Sequence, residues 1–81
     1  MKIPRDLSGS DLAKALRRLG YQITRQTGSH LRLTTQEAGQ HHVTIPNHDS
    51  IKVGTLAGIL GDVAAHFGAS RDDLLQRLFG P

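Results

Sequence analysis

The sequence predicts an α+β fold in two layers, with elements in the order α-β-β-β-α-α. Helices would cover one face of a three-stranded antiparallel sheet and leave the other face open. Three observations predict this. A leucine stripe of helical period occupies residues 12–19. Three short stretches with a period of two follow, separated by turn residues. Two further apolar stripes of helical period then close the chain.

The first helix is expected over about residues 9–19. Ser8 with Asp11 three positions on resembles a capping box, with Asp in place of Glu. Leu12, Leu16 and Leu19 follow at i, i+4, i+7, and Gly20 stands where a helix ends. Lys14, Arg17 and Arg18 lie off the stripe, as a solvated face or as an edge that meets phosphates.

In the strand region, Tyr21 and Ile23 alternate with Gln22 and Thr24. Leu31 and Leu33 alternate with His30, Arg32 and Thr34. Val43 and Ile45 alternate with His42 and Thr44. Thr27-Gly28-Ser29 links the first pair and Gln36–Gln40 the second, which suits antiparallel hairpins. Parity and loop length give a register: Thr34 opposite His42, Arg32 opposite Thr44, His30 opposite Pro46. All six would share the polar face, and Asn47 and His48 would leave the third strand beside His30.

The long helix is expected from Leu56, Ile59, Leu60, Val63 and Phe67, closed by Gly68. Gly58 and Gly61 interrupt it at about 1 kcal/mol each relative to Ala. They mark either close packing on the sheet or a weak helix. Ser70 with Asp73 reads as a second capping box before Leu74, Leu75, Leu78 and Phe79. No repeat, linker or low-complexity segment is visible, so residues 1–81 read as a single domain. A chain this size buries roughly 60–65% of its unfolded surface, which makes a thin core.

Cysteine is absent, which suits a reducing cytoplasm. The N-terminus has no apolar signal-type segment, and no apolar run reaches the ~18 residues that span a bilayer. A soluble cytoplasmic protein with no membrane association is the expectation. Net charge is +3, and residues 1–52 hold eight of the ten basic residues against four of the seven acidic ones. That asymmetry fits either a nucleic-acid partner or simple solubility.

Gly28-Ser29-His30-Leu31-Arg32-Leu33 carries the sharpest chemistry. It reads as a tight turn opening into a strand, with His30 and Arg32 together on the solvent side. Imidazole moves a proton near neutral pH, and guanidinium grips phosphate with paired hydrogen bonds. His30 there can take a proton from a ribose 2′-hydroxyl, while Arg32 or Lys52 offsets charge on the phosphoryl oxygens. Such chemistry needs no metal. The bland alternative is a solvated strand histidine.

The remaining histidines point elsewhere. His41 and His42 are neighbours on a strand and so face opposite ways. His30, His42 and His48 share a face, but no Cys or carboxylate stands beside them at ligand spacing, so no metal site is expected. His66, near a helix end, offsets the helix dipole. No nucleophilic triad, Walker loop or dinucleotide fingerprint is present. Exposed aromatics for base stacking are lacking. Residues 63–79 resemble a helix-turn-helix of the kind found in AraC-type regulators. Its second helix would begin Arg71-Asp72-Asp73, and carboxylates there repel phosphate. DNA binding through that unit stays open as an alternative.

Three segments carry a family resemblance. They are Leu7-Ser8-Gly9 leading to Leu16-Arg17-Arg18-Leu19-Gly20-Tyr21, Arg25-Gln26-Thr27-Gly28-Ser29-His30-Leu31-Arg32-Leu33, and Val43-Thr44-Ile45-Pro46-Asn47-His48-Asp49 through Lys52-Val53-Gly54-Thr55-Leu56 to Ile59-Leu60. In this order and spacing the chain resembles HicA-type mRNA interferase toxins, the ribonuclease half of HicA–HicB toxin–antitoxin pairs.

The resemblance implies a fold similar to a double-stranded-RNA-binding domain. It also implies metal-independent cleavage of mRNA, inhibition of translation and growth, and no cofactor. His30 matches the family's catalytic histidine. Ser29, Arg32, His48, Lys52 and Arg25 are the expected RNA-contacting residues. The expected partners are mRNA and a HicB-type antitoxin. A non-catalytic RNA-binding module on the same fold is the other reading.

Overall fold

The structure is a computed structural model that describes residues 2–81. Helix α1 (Gly9–Leu16) continues into a 3₁₀ turn (Arg17–Leu19). Strands β1 (Gln22–Thr27), β2 (His30–Thr35) and β3 (His41–Pro46) follow, then α2 (Val53–Phe67) and α3 (Arg71–Phe79). The sheet is antiparallel in the order β1-β2-β3. This is the expected α+β architecture.

α1 starts with the expected capping box. Ser8 Oγ accepts from the Asp11 amide at 3.0 Å, and the Asp11 carboxylate accepts from the Ser8 amide at 3.4 Å. These bonds satisfy donors that the first turn leaves orphaned. The last turn tightens to 3₁₀ and ends at Gly20 in the left-handed region, φ 81°. At α3 only half of the expected box forms. Ser70 Oγ accepts from the Asp73 amide at 3.1 Å, while the Asp73 carboxylate pairs forward with Arg77 at 3.1 Å.

Leu31, Leu33, Val43 and Ile45 turn to the helical layer. They pack with Leu12, Leu16, Leu56, Leu60, Val63, Leu74, Leu75 and Leu78 in one core. The β2–β3 register is the expected one: His30 opposite Pro46, Arg32 opposite Thr44, Thr34 opposite His42. His30, Arg32, His42 and Thr44 therefore stand exposed on the open face.

β1 departs from the expected pattern. Tyr21 is fully buried but lies one residue before the strand, and Ile23 is 47% exposed. Ile23 faces the helical side, opposite Leu33. However, β1 is an edge strand that overhangs the helices. A groove remains there, bordered by Ala13, Lys14, Arg17, Ile23 and Gln26. The register shifts between Ile23 and Arg25, as at a β-bulge. Thr24 Oγ1 within that shift donates to the Arg32 carbonyl at 3.3 Å and meets Thr34 Oγ1 at 2.9 Å.

Two other sequence readings are refined. Arg18 is not part of a free basic edge. Its Nη1 donates to the Gly80 carbonyl at 2.7 Å and ties the 3₁₀ turn to the end of α3, where a cation also suits the helix dipole. Gly58 and Gly61 are exposed, and a Cβ at either would meet nothing within 4 Å. Close packing is thus not their purpose, and they simply weaken α2.

Candidate nucleic-acid interface and active site

Gly28 and Ser29 form a two-residue hairpin between the paired residues Thr27 and His30. Gly28 has φ 56° and Ser29 is not in the positive region, as a type II′ turn requires at its first central position. The turn delivers His30 as the first residue of β2. It also presents the Ser29 carbonyl to the Asn47 amide at 2.6 Å, fastening the exit of β3 against the hairpin tip.

His30 lies at the junction of two depressions on the open face. One, of about 180 Å³, is lined by Arg25, Thr27, His30, Arg32 and Thr44. The other, of about 440 Å³, is lined by His30, Thr44, Pro46, His48, Lys52 and Thr55, among others. The sequence-named residues Arg25, Arg32, His48 and Lys52 thus converge on His30 from both sides. Ser29 does not join them, since it lines neither depression and works through its backbone. Thr44, which lines both, was not singled out as a site residue. Its place follows from the register opposite Arg32.

Electrostatically the face is one-sided. Arg25 and Arg32 are direct cross-strand partners, an arrangement that costs stability when nothing lies between them. The Asp73–Arg77 ion pair lies within α3, and among the described residues no ion pair joins Arg25, Arg32 or Lys52 to a carboxylate. Lys52 is the N-cap position of α2 and makes no side-chain cap. On the same face Thr34 Oγ1 meets His42 Nδ1 at 2.7 Å, which occupies His42.

The segment after β3 is held by its backbone while its side chains stay exposed. The Gly9 amide donates to the His48 carbonyl at 2.9 Å, and the Ile51 amide to the Leu7 carbonyl at 2.8 Å. Gly9 permits this closeness, because a Cβ there would run into the Pro46 carbonyl and sit 2.9 Å from Asn47 Cα.

A second cluster lies on the helical side. Tyr21 Oη and His41 Nδ1 are 2.7 Å apart. The His41 ring stacks on His66 at 4.4 Å and 11°, and His66 Nε2 donates to the Glu37 carbonyl at 2.9 Å. Burial, reinforced by Asp62, pushes the Tyr21 hydroxyl up to about 12, so it stays protonated and donates to His41. Burial first, then His66 and His42, lower the His41 pKa, and Asp62 opposes them. Sequence reading missed this cluster. His41 and His42 do face opposite ways, as expected, and His66 joins a contact beyond its place in α2's last turn. Among the described residues no group of three or more His, Cys, Asp or Glu is gathered to hold a metal. No helix there is long and apolar enough to cross a membrane.

These features define a small two-layer α+β protein with one helix-covered face and one open, basic face. The sequence model of a family described as the HicA toxin of bacterial toxin-antitoxin systems matches residues 9–64, more than half of the chain, and the chain belongs to that family. Membership makes it a toxin-family protein with an antitoxin as its counterpart. The match takes in Gly9, both hairpins, Lys52 and most of α2, and ends before α3. No curated protein and no solved structure matches the chain.

Proposed function

We propose that this chain is the mRNA-cleaving toxin of a toxin–antitoxin pair, an endoribonuclease that works without a metal and slows translation and growth. Residues 1–81 act as one toxin domain, in the cytoplasm, with a HicB-type antitoxin as the inhibitor that covers the basic face. The observation that carries this reading is the place of His30 between Arg25 and Arg32 on one side and His48 and Lys52 on the other.

RNA supplies its own nucleophile, the 2′-hydroxyl, so the protein needs proton transfer and charge stabilisation only. His30 takes the 2′-hydroxyl proton, and the 2′-oxygen bonds to the adjacent phosphorus. Arg25 and Arg32 hold the non-bridging oxygens as their charge grows, which also relieves the repulsion between the two guanidinium groups. Lys52 neutralises the neighbouring phosphate, and the Ser29 turn seats the strand. The bond to the 5′-oxygen breaks, leaving a 2′,3′-cyclic phosphate and a 5′-hydroxyl.

Induced expression in bacteria tests the reading. The wild-type chain arrests growth, and His30→Ala does not, although it accumulates as folded protein because His30 is exposed. Folded His30→Ala that arrests growth as strongly as the wild type overturns the assignment. Salt-sensitive RNA binding that survives the substitution, with no product from either protein, favours a non-catalytic RNA-binding module.

A further inference from the structure

Cleavage by this route needs two proton transfers, one from the 2′-hydroxyl and one to the departing 5′-oxygen. Resting on the function proposed above, we infer that His48 is the general acid that protonates the 5′-oxygen, so that the site works with two histidines rather than one.

His48 lines the same 440 Å³ depression as His30, together with Thr44 and Pro46. Its backbone is fixed: the carbonyl accepts from Gly9, the preceding amide of Asn47 is bonded to Ser29, and Ile51 beyond it is bonded to Leu7. Its imidazole is exposed and makes no hydrogen bond or ion pair within the described structure. A loop tied this closely, carrying an imidazole that the fold does not use, suits a group whose partner is the substrate. His42, by contrast, is hydrogen-bonded to Thr34. His41 and His66 are bound up with Tyr21 and Glu37 on the other side.

The depression also fits the task. Ser50 and Thr55 give hydroxyls, Lys52 a cation, and Pro46 an apolar wall for the leaving nucleoside. The balance closes within the site. The 2′-O–H bond breaks to His30, the 2′-oxygen–phosphorus bond forms, the phosphorus–5′-oxygen bond breaks, and the His48 proton passes to that oxygen. Neither an oxidant nor any co-reactant is consumed.

A leaving-group experiment separates an acid from a mere binding residue. The bond cut in a long RNA is mapped first. An oligonucleotide carrying that site is then made with oxygen or with sulfur at the bridging 5′ position, since a thiolate leaves without a proton. His48→Ala is expected to cut the oxygen substrate about 100-fold or more slowly than wild type, and the sulfur substrate within a few-fold of it. His30→Ala stays slow on both. Equal loss on both substrates makes His48 a binding or positioning residue and overturns the inference. So does undiminished cleavage of the oxygen substrate, which leaves His30 to carry both transfers. Failure of the wild type to cut any RNA overturns the nuclease reading itself. Circular dichroism and melting of His48→Ala, expected to match wild type, exclude misfolding.

Discussion

The Gly9 amide donates to the His48 carbonyl at 2.9 Å, so the first residue of α1 sets the position of a histidine on the far side of the sheet edge. The contact exists because residue 9 has no side chain to hold Pro46 and Asn47 away. The Ser8-Gly9 pair thus has two duties, capping α1 and admitting the loop that follows β3.

Gly9→Ala is expected to damage the site more than the fold. The new methyl displaces the Pro46–Asn47 backbone, at about 1–3 kcal/mol typical of overpacking. Misplacement of His48 by about 1 Å lowers cleavage by up to about 100-fold. Melting and RNA cleavage measured together check this. A variant with wild-type activity contradicts the positioning role of this contact.

Arg25→Ala is expected to leave the free protein as stable as wild type or more stable. It removes a like-charge cross-strand pair, worth about 0.2–1 kcal/mol. RNA binding weakens at the same time, and the slope of log affinity against log salt falls by about 1. Denaturant unfolding and binding at several salt concentrations read the two effects separately. A stability loss with RNA binding intact contradicts the account of this face.

Stability should rise with pH through the acid side of neutrality because of His41. An unfolded imidazole titrates near 6.5, and the folded His41 lies below that, by burial and by the His66 ring stacked on it. Between those values the unfolded chain binds more protons, so stability is complete above about pH 6.5 and falls as the pH drops through this interval. Gln in place of His41 keeps an acceptor for Tyr21 and flattens that dependence. Melting temperatures from pH 5 to 8 for the two proteins test this.

Gly58→Ala and Gly61→Ala are each expected to stabilise the protein by up to about 1 kcal/mol, or about 4–8 °C in melting temperature for a chain of this size. Both positions open onto free space. Thermal melting of the single and double variants checks this. A lower melting temperature means that something packs against those positions.

What could be read from the sequence was what has a local period or a local partner. Ser8 and Asp11 are three residues apart, and the β2–β3 register followed from parity plus one loop length, so both came out as expected. That register also placed Arg32 and His48 beside His30, whereas Arg25 reaches the open face only through the unforeseen register shift in β1, and Lys52 lies beyond the strands. Ile23 misled because alternation tells which face a residue takes, not whether a helix lies over that edge. The Tyr21–His41–His66 cluster joins three parts of the chain and leaves no local trace. The Arg18 bond to the Gly80 carbonyl spans 62 positions and is equally silent in the sequence. Gly9 offered a hint in that a glycine follows a helix cap, but its neighbour could only be known from the fold.

The most direct test of the central claim is incubation of the purified chain, free of antitoxin, with a long unstructured RNA in EDTA, beside folded His30→Ala. Cleavage by the wild type alone, with 2′,3′-cyclic phosphate and 5′-hydroxyl ends, is the expected result. Intact RNA with both proteins, or equal cleavage by both, contradicts the claim.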